Sequence, residues 1–126
     1  DKLGNEPLFL YNYAAELNVA GRYEESLRLC KASSSRMSDY YTRLLQADNC
    51  KQLRRYKEAE RHLQQASYMC PNRFTPLYEL YTIYEAQGDT ASMHRMAEAI
   101  LRKPIKVDSP EVRQIIAKMK RFKQIN

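Results

Sequence analysis

The stretch Gly21-Arg22-Tyr23-Glu24-Glu25-Ser26 returns as Arg54-Arg55-Tyr56-Lys57-Glu58-Ala59 and again as Gly88-Asp89-Thr90-Ala91-Ser92-Met93. Tyr23 and Tyr56 lie 33 residues apart, and Thr90 follows 34 later. A constant period of this size marks one supersecondary unit stacked on copies of itself, because a lone helical hairpin cannot bury its own apolar side. An array of this kind offers a face to a partner rather than a catalytic pocket.

Helical spacing fills the intervals between the turns. Pro7 suits a first helical turn, where its missing N–H costs nothing, and Leu10, Tyr13, Ala14 and Leu17 then share one face of a helix over 7–20. Gly21 closes it as a C-terminal cap. A second helix over 23–32 turns Leu27 and Cys30 inward, with Ser33-Ser34-Ser35 fraying its end. Asp39 is a good N-cap for a third helix over 40–53, with Leu44, Ala47 and Cys50 inward. The fourth, over 56–69, buries Ala59, Leu63 and Ala66 and stops at Pro71-Asn72. The fifth, over 74–87, carries Leu77, Leu80, Tyr81 and Tyr84. The sixth, over 90–102, presents Met93, Met96, Ala97, Ile100 and Leu101 and ends before Pro104. Ser109-Pro110-Glu111 announces a seventh helix by N-cap, first-turn proline and an acid at the positive dipole end. Its stripe of Val112, Ile115, Ile116, Met119 and Phe122 makes it a lid on the last hairpin.

Two helices of a hairpin can cross closely only where the side chains between them are small. Ala14, Ser26, Ala47 and Ala59 satisfy this at equivalent positions. Tyr81 and Met93 do not, which predicts a distorted or more open third hairpin. On these positions and on the period the chain resembles the tetratricopeptide repeat family over about residues 7–105. The resemblance implies an all-α, right-handed α-solenoid of three helical hairpins, with repeats at about 7–39, 40–73 and 74–105, a capping helix at about 109–125, and one domain over 1–126. It is specific as a statement of fold and poor as a statement of function.

Four strings carry a narrower resemblance. They are Pro7-Leu8-Phe9-Leu10-Tyr11-Asn12-Tyr13-Ala14-Ala15-Glu16-Leu17-Asn18, Ala66-Ser67-Tyr68-Met69-Cys70-Pro71, Arg73-Phe74-Thr75-Pro76-Leu77-Tyr78-Glu79-Leu80 and Lys103-Pro104-Ile105-Lys106-Val107-Asp108-Ser109. They look like the C-terminal repeat tail of O-antigen ligase/polymerase-like membrane proteins of the Bacteroides group, which act on lipid-linked glycans. The resemblance implies a non-catalytic protein-interaction scaffold, the appendage of a protein tethered in the bacterial inner membrane. The chain opens on Asp1 rather than Met, in keeping with a piece of a longer protein.

In this family the first helix of each hairpin lines a concave face. The repeat register places Leu8, Tyr11, Ala15 and Asn18 there from the first hairpin. Tyr41, Leu44, Asp48, Lys51 and Gln52 come from the second, and Thr75, Tyr78, Thr82 and Glu85 from the third. Tyr11, Tyr41 and Tyr78 are either recognition anchors, since tyrosine joins a rigid face to a polar tip, or packing against the neighbouring repeat. A protein or peptide is the implied partner. Chaperone-binding members grip a terminal carboxylate with Lys, Asn and Arg, whereas the matching positions here hold Tyr11, Ala15, Leu45, Thr75 and Glu79. A heat-shock chaperone tail is therefore not the expected ligand.

Charge is uneven. Residues 1–101 hold 13 basic and 13 acidic side chains, whereas residues 102–126 hold 8 and 2, so the tail carries the entire net charge of +6. Lys118, Lys120, Arg121 and Lys123 are either a solvated face or a site for an anionic membrane surface or acidic partner. Nucleic acid is disfavoured because the repeats are neutral. Self-association through apolar ends is a further option.

No cofactor or metal is expected. Cys30, Cys50 and Cys70 form no CxxC, and no His stands at zinc-ligand spacing from them. They read as small core residues, although Cys30 and Cys50 would fall on adjacent helices where an oxidising compartment could allow a bond. His62 and His94 read as exposed surface groups without a nucleophile at dyad spacing. No Gly-rich phosphate loop occurs, and the chain is not expected to be an enzyme.

Overall fold

The structure, a computed structural model, describes residues 7–32 and 39–125, with side chains from Phe9 onward. The expectations for Leu8, for Ser33-Ser34-Ser35 and for the 33–38 connection lie outside these residues. Among the described residues the fold is all-α. Its seven helices are α1 (Pro7–Val19), α2 (Tyr23–Ala32), α3 (Tyr40–Gln52), α4 (Tyr56–Met69), α5 (Thr75–Gln87), α6 (Thr90–Arg102) and α7 (Pro110–Ile125). The described residues form two compact units, one up to Met69 and one from Cys70 onward. In the first, α1 packs on α2, α3 on α4, and both α1 and α2 touch α3. In the second, α5 packs on α6 and α6 on α7.

The sequence period is also a period of backbone geometry. Gly21, Arg54 and Gly88 take left-handed φ values of 79°, 61° and 71°. Each turn repeats the same bonds. The next residue's N–H returns to a carbonyl five positions back, as Arg22 to Leu17, Arg55 to Cys50 and Asp89 to Tyr84, at 2.8, 2.7 and 2.9 Å. These are Schellman-type caps, which satisfy the last carbonyls of one helix and reverse the chain into the next. Gly21 and Gly88 adopt this backbone without a Cβ penalty, but Arg54 bears one. The result is a helical repeat-like fold.

Caps elsewhere are local. The Asp39 carboxylate accepts from Thr42 N–H at 2.8 Å, Asp89 from Ser92 N–H at 3.1 Å, and the Ser109 hydroxyl from Val112 N–H at 3.1 Å. Each satisfies an orphan donor of a first turn.

The small crossing residues are all interior. Ala14, Ser26, Ala47 and Ala59 are buried. Ser26 does more than leave room. Its hydroxyl donates to the Ala14 carbonyl at 2.7 Å and accepts from Asn49 Nδ2 at 2.8 Å. Asn49 Oδ1 in turn accepts from Asn18 at 2.9 Å. This relay ties α1, α2 and α3 together around two side chains that are 0% exposed, Ser26 and Asn49.

In the second unit Tyr81 stands where Ala14 and Ala47 stand in the first. Its ring is buried, stacked on Tyr78 at 6.0 Å and edge-on to Phe122 at 5.4 Å. The bulk is thus absorbed by α7. Val112, Ile115, Ile116 and Phe122 pack on the core of Phe74, Tyr81, Ala97, Ile100 and Met119, as a lid would.

Two sequence expectations need correction. Tyr13, assigned to the inward stripe of α1, is 49% exposed. It borders a shallow cleft with Leu17, Glu25, Arg28 and Leu29; the close Ala14–Ser26 crossing takes the buried position beside it. Neither histidine is a free surface group. His94 rests at 4.7 Å on Phe122. His62 is half-buried, and Arg43 Nη1 donates to its Nδ1 at 3.1 Å, joining α3 to α4. An arginine can only donate, so in the neutral ring the proton sits on Nε2.

Three outcomes follow for stability. Asn49→Ala leaves the Ser26 and Asn18 partners without their buried bonds and is expected to cost about 2–3 kcal/mol in urea unfolding. Arg54→Gly removes the left-handed Cβ penalty and should raise the unfolding free energy, by roughly 0.5–1 kcal/mol in urea unfolding. His62 is pushed from 6.5 down to about 4, by burial first and then by Arg43. The unfolded chain therefore takes up this proton below about pH 6.5 while the folded chain resists it to about 4. Its contribution is complete above that window and is lost as pH falls through it. His62→Gln should flatten this segment of the stability–pH curve; an unchanged slope would refute the assignment.

Candidate partner-binding surface

The first-unit positions that the repeat register assigns to a concave face fall on α1 and α3 and sort into two kinds. Asn18 and Asp48 face each other. Asn18 Nδ2 donates to Asp48 Oδ2 at 2.8 Å as well as to Asn49, so these side chains extend the buried relay to the surface. Gln52 Nε2 reaches Asp48 Oδ1 at a long 3.5 Å. Lys51 is half-buried beside them in sequence. Tyr41 is 50% exposed and edge-on to the buried Tyr40 at 5.2 Å. Tyr11 is half-buried; burial, then the charge of Asp39, holds its hydroxyl proton more tightly than usual. Of these concave-face positions, Tyr11 and Tyr41 are the ones that combine aromatic surface with access to solvent.

In the second unit the structure joins two groups that the sequence kept apart. Lys118 of α7 donates to the Tyr78 hydroxyl of α5 at 2.7 Å, with its ammonium 5.3 Å from the centre of the same ring. That hydrogen bond, ahead of the charge of Glu85, raises the Lys118 pKa. Thr82 turns back to bond its own helix at the Glu79 carbonyl, 2.7 Å away. Glu85 is exposed.

Tyr78 and Lys118 stand over a cleft of about 400 Å³, with Thr75, Glu79, Glu111 and Ile115 among its walls. A second cleft of about 350 Å³ shares Thr75, Glu111 and Ile115 with it and adds Arg73, Phe74, Lys106 and Val107. Together they form a trough along the N-terminal ends of α5 and α7, with an apolar floor and three cationic side chains against two carboxylates. Sequence reasoning named Tyr78 and Lys118 separately. It missed Arg73, Lys106 and Ile115, because the trough depends on where the 103–109 connection returns to α5. One trace of that return is the contact of Lys103 Nζ with the Pro71 carbonyl.

The basic tail is partly committed. Lys123 pairs with Glu98 of α6 at 3.1 Å, which lowers the Glu98 pKa through that hydrogen bond. Lys120 and Arg121 are exposed.

The cysteines are free thiols, with Cys30 and Cys50 buried and Cys70 half-buried. Burial pushes Cys30 and Cys50 up to about 11, with a further rise at Cys50 from Glu58. Cys50 and His62, distant in sequence, meet across the α3–α4 hairpin. With the thiol raised and the imidazole lowered to about 4, this is the reverse of a thiolate–imidazolium pair, and Cys50 is a poor nucleophile at neutral pH. Among the described residues no helix is long and apolar enough to cross a membrane. Comparison with protein-family models, curated proteins and solved structures gives no match for this chain.

Proposed function

We propose that this chain is a tetratricopeptide-type interaction module: three hairpins of one right-handed repeat series closed by α7, without catalytic chemistry of its own. The observation that carries this reading is the trough between α5 and α7. It supplies apolar lining from the half-buried Ile115 and the exposed Val107, a half-buried Tyr78 and a buried Phe74, and donors from Arg73, Lys106 and Lys118. Aromatic anchors ringed by polar groups suit a peptide better than a small reactive substrate. The excess of cations favours a peptide with acidic side chains flanking an aliphatic one. The recurring left-handed turns support the repeat assignment independently of the trough.

The resemblance of the four strings to O-antigen ligase/polymerase-like tails supports a role as an appendage of a membrane-tethered, glycan-handling protein. The coding sequence upstream of Asp1 tests this directly: absence of several apolar spans removes the link. The alternative in which Lys118, Lys120, Arg121 and Lys123 grip an anionic surface has less support, since Lys123 already pairs with Glu98 and Lys118 lines the trough beside Tyr78.

Selection from a displayed random-peptide library against the isolated chain tests the trough. Enriched peptides should share acidic and aliphatic residues, and Lys118→Glu should weaken them by more than about tenfold, the scale of a lost charge pair at an interface. Peptides that bind Lys118→Glu and Tyr78→Ala as well as the parent chain would place recognition elsewhere and defeat the proposal.

A further inference from the structure

We propose that Cys50, Glu58 and His62 form a site for one thiophilic divalent cation of the zinc type, held by a thiolate, a carboxylate and an imidazole across the α3–α4 hairpin. The inference is independent of the peptide trough.

The three ligand atoms all lie within 4.8 Å of one another, and the Cys50 Sγ to Glu58 Oε2 edge is 3.9 Å. Tetrahedral zinc with bonds of about 2.0–2.3 Å spaces its ligand atoms about 3.5 Å apart. Side-chain rotations of roughly an ångström would close the set without moving the backbone. The scaffold is firm. Glu58 and His62 are four residues apart on α4, so they stand on one face of it. Cys50 sits in the last turn of α3, and its own carbonyl accepts the Arg55 N–H at 2.7 Å in the left-handed turn. The element that reverses the chain therefore also fixes the distance between the ligands.

The donor set selects the ion. One sulfur and one imidazole nitrogen favour zinc-type ions over magnesium or calcium, which take oxygen. Thiolate and carboxylate together balance two positive charges, and binding releases the thiol proton to solvent. Cys50 is fully buried, whereas Glu58 and His62 are partly open, so entry is from the α4 side.

Protein cations currently use the same acceptors. Lys31 Nζ is 3.8 Å from Glu58 Oε2, and Arg43 occupies His62 Nδ1. An ion on Nδ1 displaces Arg43. An ion on Nε2 requires the ring proton to move to Nδ1, which also ends the bond from Arg43. Metal and guanidinium therefore compete, and this gives the site a signature that casual binding to thiols lacks.

Cobalt(II) titration of the full chain, followed by zinc displacement, tests the proposal. Expected are one equivalent of uptake, a thiolate-to-cobalt charge-transfer absorption and the visible bands of four-coordinate cobalt, with water as the fourth ligand, all removed by zinc. Glu58→Gln and His62→Gln, both at half-buried positions that tolerate isosteric change, should weaken uptake by more than about tenfold. Arg43→Met should tighten it, while Cys30→Ala and Cys70→Ala leave it unchanged. Circular dichroism of each variant separates loss of fold from loss of ligand. No charge-transfer band, a band indifferent to Glu58→Gln and His62→Gln, or one that follows Cys30 or Cys70, would overturn the assignment.

Discussion

Ser26 gives one hydrogen bond to the Ala14 carbonyl and takes another from Asn49, so α1, α2 and α3 are fixed to each other by atoms that never meet water. Buried polar groups of this kind allow few alternative packings, since any slip of one helix leaves several of them unpaired. Aliphatic side chains of the same unit, among them Leu17, Leu27 and Leu63, are buried as well, but they would tolerate neighbouring registers. Specificity in the first unit comes from a serine and an asparagine, and the alanines at the crossings make the approach close enough for them to meet.

The second unit solves the same problem differently. Tyr81 stands where the first unit has alanine, and the rings of Tyr78 and Phe122 pack against it. α7 is thereby part of the core as well as a cover. Its position also creates the trough, because Lys118 reaches α5 from the same helix that supplies Met119 and Phe122 to the interior.

Much of the fold could be read from the chain because its signals are local. Left-handed turns at Gly21 and Gly88, caps at Asp39 and Ser109, and the apolar stripe of α7 each depend on a few adjacent residues. What escaped reading depends on distant partners. Asn49 looks like a surface residue in sequence, and only the neighbouring hairpin makes it interior. Asn18 and Asp48 lie on α1 and α3, but no periodic rule reveals that they bond each other. His62, flanked by Arg61 and Glu60, has the sequence context of an exposed group; Arg43, nineteen residues away, is what encloses it. The trough was legible only as isolated members, since its shape is set by a connection without regular structure.

Cys30 and Cys50 keep their protons well into the alkaline range and have almost no surface. An alkylating reagent can reach them only when α2 or α3 lifts away from its neighbours. Their modification rate is thus a built-in clock for transient opening of the first unit, readable by mass spectrometry from the mass the reagent adds.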